Sequence, residues 1–222
     1  MKKGFKTILT VLFAAVFFMS FIPARAEAAP DNTAYLAYAD SAWNYQYWGD
    51  PVENGVVGTD AEITGPGQYT VSVDFTGTAD GKATAGLEFA AVIIAKGSES
   101  FPGYFIQYDS IVLNGEAIEF AKNYTSSDDG VELRSNIYNH WVGSLPDDAR
   151  RPDGDLTDAT PTIVDPELFT EVETLSVTFT VLDADGNAGA SSTPKTGVAS
   201  MALVYGLGAL ITGAYVFKKK EK

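Results

Sequence analysis

The stretch Tyr69-Thr70-Val71-Ser72-Val73-Asp74-Phe75 alternates apolar and polar side chains without a break, and Leu175, Val177, Phe179 and Val181 do the same against Thr174, Ser176, Thr178 and Thr180. Successive side chains of a strand point to opposite faces, so each stretch makes one dry face and one wet face when extended, and neither when helical. Residues 85–95 and 105–113 are two further strand candidates. The first is almost continuously apolar, which predicts a central strand buried on both faces. Asn114-Gly115 follows the second and is a strong hairpin-turn signal. Between its two ends the chain has no stretch with an apolar stripe at helical spacing. Short strands separated by Gly, Pro and Asn therefore predict an all-β domain, an antiparallel β-sandwich with jelly-roll as the favoured topology. The chain has no cysteine, which excludes disulfides, thiolate catalysis and cysteine metal sites, so stability has to come from the core.

The two ends are of a different kind. Lys2, Lys3 and Lys6 precede an apolar run at 8–22, and Ala24-Arg25-Ala26-Glu27-Ala28 supplies small residues at signal-peptidase spacing. Residues 1–28 thus read as a cleaved secretory signal, cut after Ala26 or Ala28. At the other end residues 198–217 are uncharged, long enough to cross a hydrocarbon core as a helix, and followed by Lys218, Lys219, Lys220 and Lys222. The basic tail holds that end in the cytoplasm and leaves the body of the chain outside.

The order Pro194-Lys195-Thr196-Gly197, apolar span, lysine-rich tail resembles the cell-wall sorting signal of Gram-positive surface proteins. That resemblance implies that a sortase cuts between Thr196 and Gly197, with Pro194 bending the chain, and joins the new carboxyl to peptidoglycan. Thr193 stands where that family most often has Leu, which leaves the sortase class open. The expected organisation is a signal peptide at 1–28, a β-sandwich domain at 30–182, a small-residue tether at 183–193, and a sorting signal at 193–222. The membrane is then met only through the C-terminal span before sorting, and the product is a secreted protein anchored on the outer face of the wall.

The chain carries 15 basic and 29 acidic residues. Removing the leader with Lys2, Lys3, Lys6, Arg25 and Glu27, and the segment after Thr196 with four lysines and Glu221, leaves 7 basic and 27 acidic residues, a net charge of −20. Such a surface repels nucleic acid and other polyanions within a screening length of about 8–10 Å. Neutral or cationic partners are expected.

Two stretches of the domain carry candidate contacts. In Trp43-Asn44-Gln46-Trp48 and the intervening tyrosines, an extended chain turns Trp43, Tyr45 and Tyr47 one way and Asn44, Gln46 and Trp48 the other. Burying the aromatic set and exposing the amides is the arrangement that leaves no amide unpaired. In residues 132–141, Leu133, Ser135 and Ile137 are expected to face the core, with Glu132, Arg134, Asn136 and Tyr138 outside and Asn139, His140 and Trp141 just beyond. Aromatic planes beside amide and guanidinium donors suit a sugar ring, which has an apolar C–H face and a rim of hydroxyls. The glycan-contact set is accordingly Trp48, Gln46, Asn44, Arg134, Asn136, Tyr138 and Trp141.

The succession of residues 34–48, 63–75, 105–120 and 132–141 resembles a β-sandwich module of secreted, carbohydrate-directed bacterial proteins, similar in plan to jelly-roll carbohydrate-binding modules. The resemblance implies non-catalytic binding of a neutral polysaccharide or glycan; a surface adhesin or structural protein with a protein partner is the alternative. Such modules often hold a structural Ca²⁺, and Asp147, Asp148, Asp153, Asp155, Asp158 and Asp165 in the Pro- and Asp-rich loop at 145–166 supply oxygen ligands without locating a site. Asp183-Ala184-Asp185-Gly186-Asn187 lacks the twelfth-position Glu of a calcium loop and reads as tether. His140 is the only histidine, no G-x-S-x-G motif occurs, and no pair of carboxylates is singled out. No enzymatic activity and no cofactor are expected.

Overall fold

A computed structural model describes residues 29–50 and 54–189. The expected signal peptide at 1–28, the expected tether from 190 onward and the expected sorting signal, with Pro194, Thr196, Gly197 and the apolar run at 198–217, lie outside the described residues. The strands are β1 (Thr33–Asp40), β2 (Gln46–Tyr47), β3 (Val57–Thr59), β4 (Ala61–Glu62), β5 (Gly67–Asp74), β6 (Leu87–Ile94), β7 (Phe105–Leu113), β8 (Glu116–Ile118), β9 (Leu133–Asn139) and β10 (Thr174–Leu182). Helical structure among the described residues is limited to one turn at Gly97–Ser100 and a 3-10 segment at Pro166–Thr170.

The strands form two antiparallel sheets, one ordered β2-β1-β6-β9 with β4 also on β1, the other β3-β5-β10-β7-β8. The chain alternates between them: β1 lies in the first sheet, β5 in the second, β6 in the first, β7 in the second, β9 in the first and β10 in the second. Every strand pairing is antiparallel. Leu36 and Val92 of the first sheet and Val71, Val177 and Phe179 of the second share one buried core, closed by Phe169 of the 3-10 segment. Each such side chain contributes about 1.5–3 kcal/mol on leaving water. Both described sheets and the core they share fall within residues 29–189, so this stretch has its own hydrophobic core, the property that lets a domain fold alone.

The alternation in β5 and β10 is realised as expected, with Tyr69, Val71, Val73, Leu175, Val177, Phe179 and Val181 buried. β6 is central, flanked by β1 and β9. Asn114 and Gly115 take φ of 51° and 85° between Leu113 and Glu116, the double left-handed turn that a two-residue hairpin requires. Asn114 also accepts the N–H groups of Glu173 and Thr174 at 2.8 and 3.1 Å, tying the hairpin to β10.

The outer faces of the two sheets differ. That of the second sheet is polar: the Thr70 and Thr178 hydroxyls lie 3.0 Å apart, and Asp109 accepts from both Gln68 and Thr180 at 2.8 Å. That of the first sheet carries a second apolar cluster of Ala37, Ala39, Phe89, Ala91 and Ile93.

The loop at 145–166 is pinned along the edge beside β9. Thr125 and Arg150 exchange backbone hydrogen bonds at 3.1 and 3.0 Å, Arg151 donates to the Asn123 carbonyl at 3.0 Å, and Ile163 and Val164 are buried. At the start of the tether, Asp183 accepts the Asn187 N–H at 2.8 Å and closes a turn.

Candidate ligand-binding site

The first candidate stretch is a turn rather than a continuous strand. The Asp40 carboxylate, almost wholly buried, accepts the N–H groups of Asn44 at 2.8 Å and Tyr45 at 3.3 Å, and its carbonyl accepts Trp43 N–H at 3.0 Å. These bonds fold residues 41–45 tightly and leave only Gln46 and Tyr47 to pair with β1. The expectation that Trp43 joins Tyr45 and Tyr47 in the core is corrected accordingly. Tyr45 and Tyr47 are buried, whereas Trp43 takes φ of 58° and is 46% exposed.

The two buried tyrosines anchor the turn through their hydroxyls. Tyr45 donates to Asp80 at 2.6 Å and Tyr47 to Asp60 at 2.8 Å. The Tyr47 ring lies across the backbone of Gly58, where an added Cβ would come within 1.9 Å of it. Burial pushes the Asp60 carboxyl above its ordinary range, with the Tyr47 hydrogen bond opposing it.

Asn44, Gln46 and Trp48 lie at the edge of the first sheet, Asn44 exposed and the other two half-buried. Trp48 donates its indole N–H to the Gln46 side-chain oxygen at 2.8 Å and stacks on Phe89 of β6, with centroids 5.2 Å apart and planes 27° from parallel. Small side chains at Ala37 and Ala39 leave the outer face low enough for the indole to lie down on it.

On the opposite flank, β9 bears out part of its expectation. Leu133 and Ile137 enter the core, and Arg134 and Asn136 sit opposite Ile93 and Ala91 on the outer face. A register shift between Ala90 and Ala91 breaks the alternation at Ile137. Tyr138 therefore stands opposite Ala90 and packs against the main core, which corrects its placement on the outer face. Arg134 and Asn136 are also not open to solvent, being 5% and 0% exposed.

Arg134 makes its charge contacts with Asp128 through Nη2 and with Glu132 through Nη1 at 3.5 Å, and its guanidinium carbon lies 6.0 Å from the Phe89 ring centroid. The Nη2 contact lacks hydrogen-bond geometry, and Nε has no partner among the described residues. Asn136 donates to the Tyr124 hydroxyl at 3.1 Å, and its side-chain oxygen is likewise without a partner among the described residues. Burial raises the Glu132 carboxyl, against the pull of Arg134. Trp48 from one edge and Arg134 from the other thus converge on one ring, Phe89.

At the end of β9, Asn139 accepts the Trp141 N–H at 3.1 Å, and Trp141 just beyond it is 59% exposed. Its ring meets Trp43, with centroids 5.9 Å apart and planes 36° from parallel. The His140 ring stands edge-on to Trp141 at 6.1 Å. Trp43 is the residue sequence reasoning missed, because alternation assigned it inward; the signal available was Asp40 four residues before Asn44, the start of an Asx-type turn.

Most of the aspartates of the 145–166 loop are engaged by neighbouring groups. Asp153 and Asp158 pair with Arg151 and Lys122, Asp155 accepts from Thr157, Asp148 from Ser127 and Asp165 from Glu167. Those oxygens are turned to protein donors, and among the described residues no group of three or more metal-ligating side chains converges. Among the described residues no helix is long and apolar enough to cross a membrane. Comparison with known proteins gives no matching family model, no matching curated protein and no matching solved structure.

Proposed function

We propose that the chain is a secreted, wall-anchored protein whose β-sandwich, of jelly-roll plan, binds a neutral glycan without catalysis. The single observation that carries this reading is the convergence of Trp48 and Arg134 on Phe89, which fixes an indole with an amide oxygen beside it at the edge of a sheet. Trp48 is held on one side by Phe89 and at its N–H by Gln46, so it offers an aromatic plane at little entropic cost on binding. Asn44 and the amide NH2 of Gln46 supply hydroxyl partners alongside it. Arg134 and Asn136 support that surface from within. The alternation of the chain between two antiparallel sheets supports the jelly-roll plan.

Charge supports a neutral ligand. Lys82, Lys96, Lys122, Arg134 and Arg151 each pair with a carboxylate, and Arg150 lies over the Phe105 ring at 4.8 Å. An acidic polysaccharide would meet 26 acids and no unengaged cation among the described residues. Secretion through the leader at 1–28 and sortase joining at Thr196 rest on the sequence order of the two ends. The binding reading is tested by mixing residues 29–189 with insoluble glucan, xylan, mannan and chitin and measuring the protein left in solution. Depletion by a polymer, lost in Trp48→Ala, is the expected result; no depletion by any of them would overturn the reading and favour a protein partner.

A further inference from the structure

Trp43 and Trp141 are the two most exposed large aromatic side chains among the described residues, and they touch each other. Isolated surface aromatics are ordinary, but a contiguous pair kept in water marks a contact site. The pair is also held in place at a cost. Trp43 adopts the left-handed conformation that costs a bulky L-residue about 1–2 kcal/mol and that glycine would take freely. The buried Asp40 fixes that conformation by engaging three successive N–H groups, those of Trp43, Asn44 and Tyr45. Asn139 fixes the partner indole from the other strand. A strained backbone that presents an exposed ring onto a second exposed ring points to function rather than packing.

The position of the pair adds the rest. Asn139, which holds Trp141, stands opposite Phe89, the ring on which Trp48 stacks. The turn that carries Trp43 joins β1 to the strand that ends beside Trp48. Both aromatic platforms therefore belong to the same end of the first sheet.

We infer that Trp43 and Trp141 form a second sugar-stacking platform beside Trp48, and that the ligand is an internal stretch of a neutral polysaccharide, spanning several sugar units, rather than a single terminal sugar. This rests on the glycan reading above. An extended chain engages both platforms at once, so affinity grows with chain length until both are covered. A terminal sugar covers only one. Asp40 is a positioning residue that touches no ligand and sets the angle of Trp43.

The test is calorimetric titration of residues 29–189 with cello-, xylo- and manno-oligosaccharides from the monosaccharide to the hexasaccharide. Affinity is expected to rise with length, and Trp43→Ala and Trp141→Ala are each expected to lose about tenfold for the longest oligosaccharide and nothing for the shortest that binds. Trp43→Gly removes the ring while suiting the backbone, so it separates loss of the platform from loss of fold. Exciton coupling between the two indoles in circular dichroism reports the pair in solution and should vanish in all three variants. If Trp48→Ala abolishes binding while the Trp43 and Trp141 variants keep the full dependence on length, the platform is overturned and the glycan reading stands. If the unaltered protein binds no oligosaccharide and no parent polymer, both fall.

Discussion

Trp48 stacks on Phe89 with ring centroids 5.2 Å apart, and that contact is where two distant parts of the chain meet, since the Arg134 guanidinium rests near the same ring. Phe89 is 4% exposed although it lies on the outer face of its sheet. Phe89→Ala should cost about 3–5 kcal/mol, as for a core phenylalanine. It should also free Trp48, seen as red-shifted indole emission. Thermal unfolding and fluorescence on the same sample check both; a loss well under 1 kcal/mol would mean the outer cluster is not a packed unit.

The Trp43 turn gives a prediction of opposite sign. Trp43→Gly relieves left-handed strain of about 1–2 kcal/mol and loses roughly 0.5–1 kcal/mol to the flexibility of glycine, so it should leave the melting temperature unchanged or slightly raised. Asp40→Ala strips partners from the N–H groups of Asn44 and Tyr45, the second of them buried, and should cost about 1–3 kcal/mol. Melting curves of the two variants side by side decide the point, and a clearly destabilised Trp43→Gly would contradict the strain.

Gly58 is required by a neighbour and not by its own backbone. The Tyr47 ring occupies the space of a side chain there. Gly58→Ala should displace that ring, weaken the Tyr47–Asp60 hydrogen bond and cost about 1–3 kcal/mol. Because the clash needs both partners, the cost of Gly58→Ala should shrink when Tyr47 is already Ala. Additive costs in that double-mutant cycle would show that the two do not interact.

Buried carboxyls give stability a pH dependence that adds to the self-repulsion of so acidic a chain. Burial raises the carboxyls of Asp60, Glu132 and Asp50 in the folded protein. A raised folded value means that the protonated form favours folding. The contribution is complete below the ordinary carboxylate range and is lost as the pH rises through the raised values. The melting temperature should therefore fall between mildly acidic and neutral pH, and Asp60→Asn should reduce that fall and raise the melting temperature at neutral pH. Asp153 works the other way, held down to about 2 by Arg151, so its contribution is lost only in strong acid. A flat profile, or a steeper fall in Asp60→Asn, would refute the assignment.

Alternation made β5 and β10 legible in the sequence because one face of each strand is wet. β1 was not legible as a strand. Its outer residues Ala37 and Ala39 are covered as fully as its inner ones and Tyr35 is half-buried, so no polar partner marks the period. The candidate site was half legible for related reasons. Gln46, Trp48, Arg134 and Asn136 fell on the expected face of one sheet, because register within a strand follows the chain. Tyr138 was turned inward by a bulge, and Trp43 outward by a side-chain bond from Asp40. Both are local departures from a period, and a period-based reading has no means of seeing them. The burial of Arg134 arises from packing across strands, since it stands opposite Ile93 of β6 with its guanidinium near the Phe89 ring of the same strand.

The measurement that tests the central claim most directly is native affinity electrophoresis of residues 29–189 through gels containing soluble β-glucan, xylan or galactomannan, beside Trp48→Ala. The account predicts that one neutral polymer retards the unaltered protein and that the variant runs as if no polymer were present. Equal mobility of both proteins in every gel, or equal retardation of both, would contradict it.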